Sequence, residues 1–266
     1  MQGKGEMLKG KCALLTGSVG GIGYAIADRL AAEGASVVLN GLCPLPEGQA
    51  VADRITEAHG VAAVFDPADL RDVAAIEAMM DRAAARFGGV DILVNNAVVR
   101  NPGPIEDMRT EDWDTALAVN LSSAFHCVRL ALPHMKVQGW GRILSMSSVY
   151  GFRGAENRID YVTTKTALIG LTRAVALETA AHGITSNALS PGSVPSPAIL
   201  GKIEAMAAEQ GESVEDVTRA YVGERHPTGR FVSPENVAAM AAFLCSPAGN
   251  DITGTVLPID GGWTAS

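Results

Sequence analysis

Alternation is the feature that most limits what this chain can fold into. Short apolar runs at 12–16 (CALLT), 36–40 (SVVLN), 61–65 (VAAVF), 91–96 (DILVNN), 142–147 (RILSMS), 184–190 (ITSNALS) and 255–259 (TVLPI) take turns with amphipathic stretches. Those stretches cover roughly 21–33, 47–59, 71–86, 111–136, 160–182 and 234–245. The runs lack clean period-two alternation, as expected for parallel strands covered on both faces. Units of β and α that alternate along a whole chain predict an α/β fold with a doubly wound parallel sheet and helices on both faces. Helix starts are well marked in places, as where Ser233 precedes Pro234 at a first helical position. The irregular region runs from Pro191 to about Phe231, and a long excursion of that kind is usually a lid or binding loop. No low-complexity linker or internal repeat divides the chain, so one domain over 1–266 is expected, with 191–231 as a substrate loop inside it.

Bulk properties exclude several classes. With 266 residues, 47% hydrophobic and 19% charged, the chain can bury a sizeable core. A formal net charge of −8, with no local basic block, argues against a nucleic-acid partner. The opening MQGKGEMLKG has no apolar h-region and no apolar run looks long enough to span a membrane, so a cytoplasmic protein is expected. Cys12, Cys43, Cys127 and Cys245 are scattered without a CxxC pair and read as reduced core residues, with no metal site.

The first strand runs straight into TGSVGGIGYAIA. A glycine-rich turn at a helix N-terminus offers free backbone N–H groups and the positive end of a helix dipole, a seat for a pyrophosphate. Gly17 allows the tight turn, Gly21 lets the backbone approach phosphate, and Gly23 permits close helix–sheet packing, with Ser18 and Ile22 in the same cradle. On strand one of a βαβ series this predicts a Rossmann-like dinucleotide site. After the second strand stand Asn40, Gly41, Leu42 and Cys43, and no cation is placed for a 2′-phosphate. NAD is therefore favoured over NADP, although the acid usual in NAD sites is also absent. Asp69 and Leu70 would flank the adenine, or Asp69 could serve as a helix N-cap.

Tyr161 and Lys165 stand four apart in NRIDYVTTK, on one face of a helix. An ammonium beside a phenol stabilises the phenolate, and such a tyrosine can take a proton from an alcohol as hydride leaves its carbon. Alone, the pair could equally be a surface tyrosine packed on a lysine stem. Ser148, thirteen residues earlier at the end of RILSMSS, could hydrogen-bond the substrate oxygen. Asn120, in ALAVNLSSAF, would be unfavourable inside a helix unless its amide has a specific partner.

On these motifs, together with NNAV at 95–98, SPGSV at 190–194 and DGGW at 260–263, the chain resembles the short-chain dehydrogenase/reductase family over nearly its whole length. The resemblance implies that Tyr161 is the general acid/base and that Ser148 polarises the substrate oxygen. It implies too that Lys165 lowers the tyrosine pKa and holds the ribose, and that Asn120 positions a water in a proton relay. Asn96 and Ala97, with Pro191, Gly192 and Val194, would lie against the cofactor, and a homotetramer paired through the helices at 111–136 and 160–182 is implied. Val98 departs from the family's glycine. Within the family, VVLNG (37–41), HGVAAVFDPADL (59–70), FGGVDILVNNA (87–97) and the ending DGGWTA look like D-3-hydroxybutyrate dehydrogenases, which use NAD.

That subfamily's carboxylate-binding Gln, His and Lys are replaced here by Arg100, Tyr150 and Arg158, and its Trp after the PG turn by Ser193, while Trp263 is retained. Arg158 keeps the positive charge and adds a bidentate fork, and Arg100 adds a second cation, unless both are solvated loop arginines. An anionic small-molecule substrate is expected, a small hydroxy acid or one that is larger or more anionic. Lys202, Arg219 and Arg225, in the segment 198–226, are weaker anion candidates, and Arg230 reads as structural. The segment itself could be a lid or an ordinary pair of capping helices. Three alternatives stay open: a polyol or sugar dehydrogenase, an NADPH-dependent 3-oxoacyl carrier-protein reductase, and a silent nucleotide-binding regulator.

Overall fold

A computed structural model describes residues 7–265; residues 1–6 and Ser266, on which parts of the one-domain and N-terminal expectations fall, lie outside the described residues. Each expected run is a strand: β1 Cys12–Leu15, β2 Ser36–Asn40, β3 Ala63–Asp66, β4 Ile92–Asn95, β5 Gly141–Met146, β6 Ile184–Pro191 and β7 Val256–Ile259. They form one parallel sheet in the order β3-β2-β1-β4-β5-β6-β7. The order reverses between β1 and β4, where connections leave in opposite directions and a crevice opens beyond the carboxyl ends of the strands.

Both faces of the sheet are buried, which is why the strands lack alternation. Ala13, Leu15, Val37 and Leu39 pack on one side with Ile26 and Leu30 of α1 (Gly21–Ala32), Ile55 of α2 (Leu45–His59) and Val237 and Ala241 of α9 (Pro234–Cys245). Cys12, Leu14, Val38 and Leu93 pack on the other with Ile76 and Met79 of α3 (Val73–Phe87) and Cys127, Val128 and Met135 of α5 (Ser123–Gln138). Fully burying one such aliphatic side chain contributes roughly 1.5–3 kcal/mol. α2 begins two residues before its expected start because Pro46 suits a first helical turn.

Two differences from expectation matter for the site. The helix foreseen over 111–136 is α4 (Thr110–Leu117) and α5 joined by a π turn at Ala118–Ser122, with Asn120 at its centre. By length and mean hydropathy, 1.3 over its best window, the span Thr110–Gln138 is long and apolar enough to cross a membrane, contrary to the sequence expectation. Its α5 part lays Cys127, Val128, Ala131 and Met135 on the sheet, as a core helix does. The excursion after β6 folds into α7 (Pro197–Gln210) and α8 (Val214–Gly223), each capped by a serine, Ser196 and Ser213. Ile203, Ala207 and Val217 give this pair a small core of its own, with Tyr221 and Phe231 packed against it. α6 (Ile159–Thr179) follows a turn at Asn157, whose φ of 57° makes it the one non-glycine residue with positive φ among the described residues.

Candidate active site

The crevice is a cavity of about 700 Å³, lined from the β1–α1 turn at one end to α8 and Trp263 at the other. The cradle is built by close approach. Gly17 has φ +61°, and a Cβ there would lie 2.7 Å from Cα of Ala97. A Cβ on Gly23 would lie 2.6 Å from both Nδ2 of Asn96 and the carbonyl oxygen of Gly17. Two glycines are thus required by backbone contacts, and they leave an open turn at a helix N-terminus, the shape a dinucleotide's pyrophosphate needs.

Of the residues expected at the cofactor, Gly17, Gly21, Ile22, Gly23, Asn40, Asp69, Leu70, Asn96, Ala97, Pro191, Gly192 and Val194 all line the cavity. Ser18 does not. It is fully buried, its hydroxyl donates to the carbonyl of Leu15 at 2.7 Å, and its N–H donates to the carbonyl of Asn40 at 2.8 Å. Ser18 therefore shapes the loop from behind. Asn40 and Asn96 also turn their amides into the scaffold: Asn40 Nδ2 donates to the carbonyls of Asp66 (3.1 Å) and Ala68 (2.9 Å), and Asn96 Nδ2 to those of Thr16 (3.0 Å) and Gly17 (2.6 Å). The cap of α3 is Asp72, whose carboxylate accepts from Ala74 N–H, so Asp69 is left on the cavity wall, paired with Arg71.

At the other end, β5 and α6 bring Ser148, Tyr161 and Lys165 together. The Ser147 hydroxyl donates to the carbonyl of Lys165 at 2.9 Å and pins the helix to the strand. Lys165 is buried, its Nζ donates to the carbonyl of Met146 at 2.5 Å, and it lies 5.5 Å from the centre of the Tyr161 ring. Burial alone would raise the Tyr161 phenol; the charges of Lys165 and Arg100 and a hydrogen bond with Ser148 outweigh it and hold the phenol below its ordinary range. Burial also depresses the Lys165 ammonium, which Tyr161 draws back up and Arg100 pushes further down.

The amide of Asn120 has partners at both its oxygen and its nitrogen. Its Oδ1 accepts from Val99 N–H at 2.8 Å, and its Nδ2 donates to Val99 O at 3.0 Å and to Thr164 Oγ1 at 3.3 Å. The expectation of a specific partner is met: the side chain clamps the segment after β4 to α6.

The substrate end carries Arg100, Arg158 and Arg225 on its wall, together with Ser148, Tyr150, Tyr161, Ser193, Tyr221 and Trp263. Arg158 is half-buried, and its side chain takes no hydrogen bond or ion pair among the described residues. Arg225 donates to the carbonyl of Tyr221 and to Glu224, and its guanidinium stacks 4.0 Å over the Tyr221 ring. Lys202 and Arg219 do not reach the cavity; Arg219 pairs with Glu215 and Asp216 on the outer surface.

Two residues went unnoticed in the sequence. Asp160 is buried, and its carboxylate accepts from the backbone N–H of Tyr161 (2.6 Å) and of Asn101 (2.9 Å), joining α6 to the segment that carries Arg100. His226 is buried too: Nε2 accepts from Ser193 N–H at 3.0 Å, which leaves the proton on Nδ1 to donate to the carbonyl of Arg230 at 2.8 Å. It closes a row of edge-on rings, Tyr161–Tyr150–Trp263–His226, at centroid distances of 6.2, 5.7 and 5.5 Å. An aspartate next to a tyrosine and a histidine in a loop carry no periodic pattern that would single them out.

Comparison with known proteins agrees with this geometry. Residues 17–264 match a family described as enoyl-(acyl carrier protein) reductase. A D-beta-hydroxybutyrate dehydrogenase of Cupriavidus necator is 44% identical over 97% of this chain and 100% of its own. One of Rhizobium meliloti is 42% identical over 96% and 99%. Among solved structures, L-sorbose reductase of Gluconobacter frateurii, complexed with NADPH and L-sorbose, superposes with a TM-score of 0.92 at 28% identity, over 97% of this chain and 98% of that one.

Proposed function

The chain belongs to the short-chain dehydrogenase/reductase family, and on that premise we propose that it interconverts a small hydroxy acid and its keto acid, with NAD as the preferred cofactor. One observation carries the reading: a tyrosine held between Lys165 and Ser148 faces a cavity whose substrate end bears three arginines and no carboxylate among the described lining residues. The bound nicotinamide supplies the hydride acceptor.

The chain's own residues do the rest. Ser148 donates to the substrate oxygen and orients it toward Tyr161. The phenolate of Tyr161 accepts the hydroxyl proton, and the charge of Lys165 favours that phenolate over the neutral phenol. Arg158, unpaired at the wall, meets the substrate's carboxylate, and Tyr150 and Trp263 pack on its carbon chain. α7 and α8 cover the cavity and limit the entry of water. Asn40, Gly41 and Leu42 line the adenosine end with neutral groups, and the nearby Arg71 is held by Asp69. That composition favours NAD, since a 2′-phosphate would find no free cation there. Exposed Phe125 on α5 and Leu177 on α6 support a homotetramer paired through those helices, and the four free thiols suit a reducing cytoplasm.

The test follows NADH and NADPH absorbance with 3-hydroxybutyrate, dicarboxylic and sulfonated hydroxy acids, and neutral polyols. Turnover of acids with NAD is expected. Turnover confined to neutral polyols, or a clear preference for NADP, would overturn the reading.

A further inference from the structure

Arg100 does more in this geometry than line the wall. Its guanidinium sits 5.0 Å from the centre of the Tyr161 ring, on a residue whose backbone position is fixed from both sides. Just before it, Val99 is clamped through both backbone groups by Asn120. Just after it, Asn101 donates its N–H to the carboxylate of Asp160, and Gly103 N–H donates to the carbonyl of Asn157. A cation on a segment so held is delivered to one place. We propose that Arg100 is the second cation of the acid/base apparatus, stabilising the Tyr161 phenolate from the substrate side, and that an acidic substrate engaging its guanidinium weakens that stabilisation.

The groups around Tyr161 make the assignment specific. Its own helix supplies Lys165 one turn on and Asp160 beside it, whose oxygens are turned to the N–H groups of Tyr161 and Asn101. The segment after β5 supplies the Ser148 hydroxyl and the Tyr150 ring, neither of them a cation. The segment after β4 supplies Arg100, while Arg158 and Arg225 stand on the wall without an interaction with the ring. Arg100 thus joins Lys165 as one of two cations acting on the phenol, and its charge also disfavours the Lys165 ammonium, which places it near both members of the pair. Lys165 is fixed and buried; Arg100 is exposed to the substrate end and open to neutralisation by a bound anion. Free and substrate-loaded enzyme therefore hold the phenol at different set points.

This inference rests on Tyr161 as the acid/base, and its test needs no turnover. Phenolate absorbance in the near ultraviolet is titrated for the protein, with the trace of Tyr161→Phe subtracted to remove the other three of the four tyrosines. Arg100→Gln is expected to move the Tyr161 midpoint upward by about one pH unit or more, with Arg100→Lys in between. Adding 3-hydroxybutyrate should raise the midpoint of the unaltered protein by more than it raises that of Arg100→Gln, where only the direct repulsion of the carboxylate acts. An unmoved midpoint in Arg100→Gln overturns the proposal, and should that variant fail to fold, an unmoved midpoint in the unaltered protein saturated with acid does so. A Tyr161 component that titrates in the ordinary phenol range from the outset would instead overturn the acid/base reading itself.

Discussion

Asp160→Ala is expected to unlink the two halves of the site at a cost large enough to measure. Asp160 is 1% exposed, and its carboxylate takes three hydrogen bonds: from Tyr161 N at 2.6 Å, from Asn101 N at 2.9 Å and from Asn101 Nδ2 at 3.3 Å. Hydrogen bonds to a charged group contribute about 1.5–3 kcal/mol each, and a buried N–H left without an acceptor costs about 1–3 kcal/mol. The first turn of α6 can admit some water, so the losses do not add in full; a net destabilisation of about 2–4 kcal/mol is expected. In a chain of this size that lowers Tm by roughly 4–8 °C. Denaturant unfolding followed by circular dichroism gives the free energy directly, and Asp160→Asn, which keeps one acceptor, should fall between the two. Because Asn101 is released, Arg100 loses its fixed place, and KM for an acidic substrate should rise in whatever Asp160→Ala remains folded. A loss of less than about 0.5 kcal/mol, the range of an ordinary surface substitution, would refute the reasoning.

Gly23→Ala should weaken cofactor binding, because its Cβ would meet the Gly17 carbonyl at 2.6 Å and the Ser18 Cα at 2.8 Å and push the cradle open; titration of NADH fluorescence measures it. Arg158→Met should raise KM for an acidic substrate tenfold or more, the equivalent of a charged hydrogen bond of about 1.5–3 kcal/mol, and leave a neutral alcohol unaffected in steady-state assays. Alcohol oxidation needs the Tyr161 phenolate, whose folded-state pKa is lowered, so kcat/KM should climb as pH rises through that lowered value and level above it. Lys165→Met removes the first cation and should carry that rising limb to higher pH. His226→Phe removes the bonds from Ser193 and to Arg230, so hydrogen exchange should quicken across 193–230 while β1 to β5 keep their protection.

The sheet was legible because its causes are local. CALLT, SVVLN and DILVNN each carry enough apolar residues to be buried on both faces, and parallel order follows from the helices between them. The cradle was legible for the same reason, since Gly17 and Gly23 answer to backbone contacts within one βα unit and its neighbour strand. What the pattern hid is side-chain direction. Ser18 sits in the cradle's sequence but faces Leu15 and Asn40, and nothing in TGSVGGIG distinguishes a hydroxyl behind the loop from one in front of it. The π turn was hidden as well, because a single added residue at Asn120 leaves the apolar spacing of 111–136 nearly intact.

The substrate end shows where local reading stops and why the arginines matter there. Its wall is assembled from the ends of β4, β5 and β6, the start of α6, the end of α8 and the chain's last turn, so no window of sequence contains it. Arg100 and Arg158 look alike as isolated loop residues, yet the structure gives them different surroundings. The Arg158 side chain has no partner among the described residues and is free to take a carboxylate, while the Arg100 side chain stands over the face of Tyr161 and is exposed to the same end of the cavity. The difference comes from Asn120 and Asp160, which hold the Arg100 segment against α6 from either side. Substrate charge and phenol acidity are therefore coupled in this fold through the backbone between Val99 and Asn101, and a neutral residue at position 100 would separate the two.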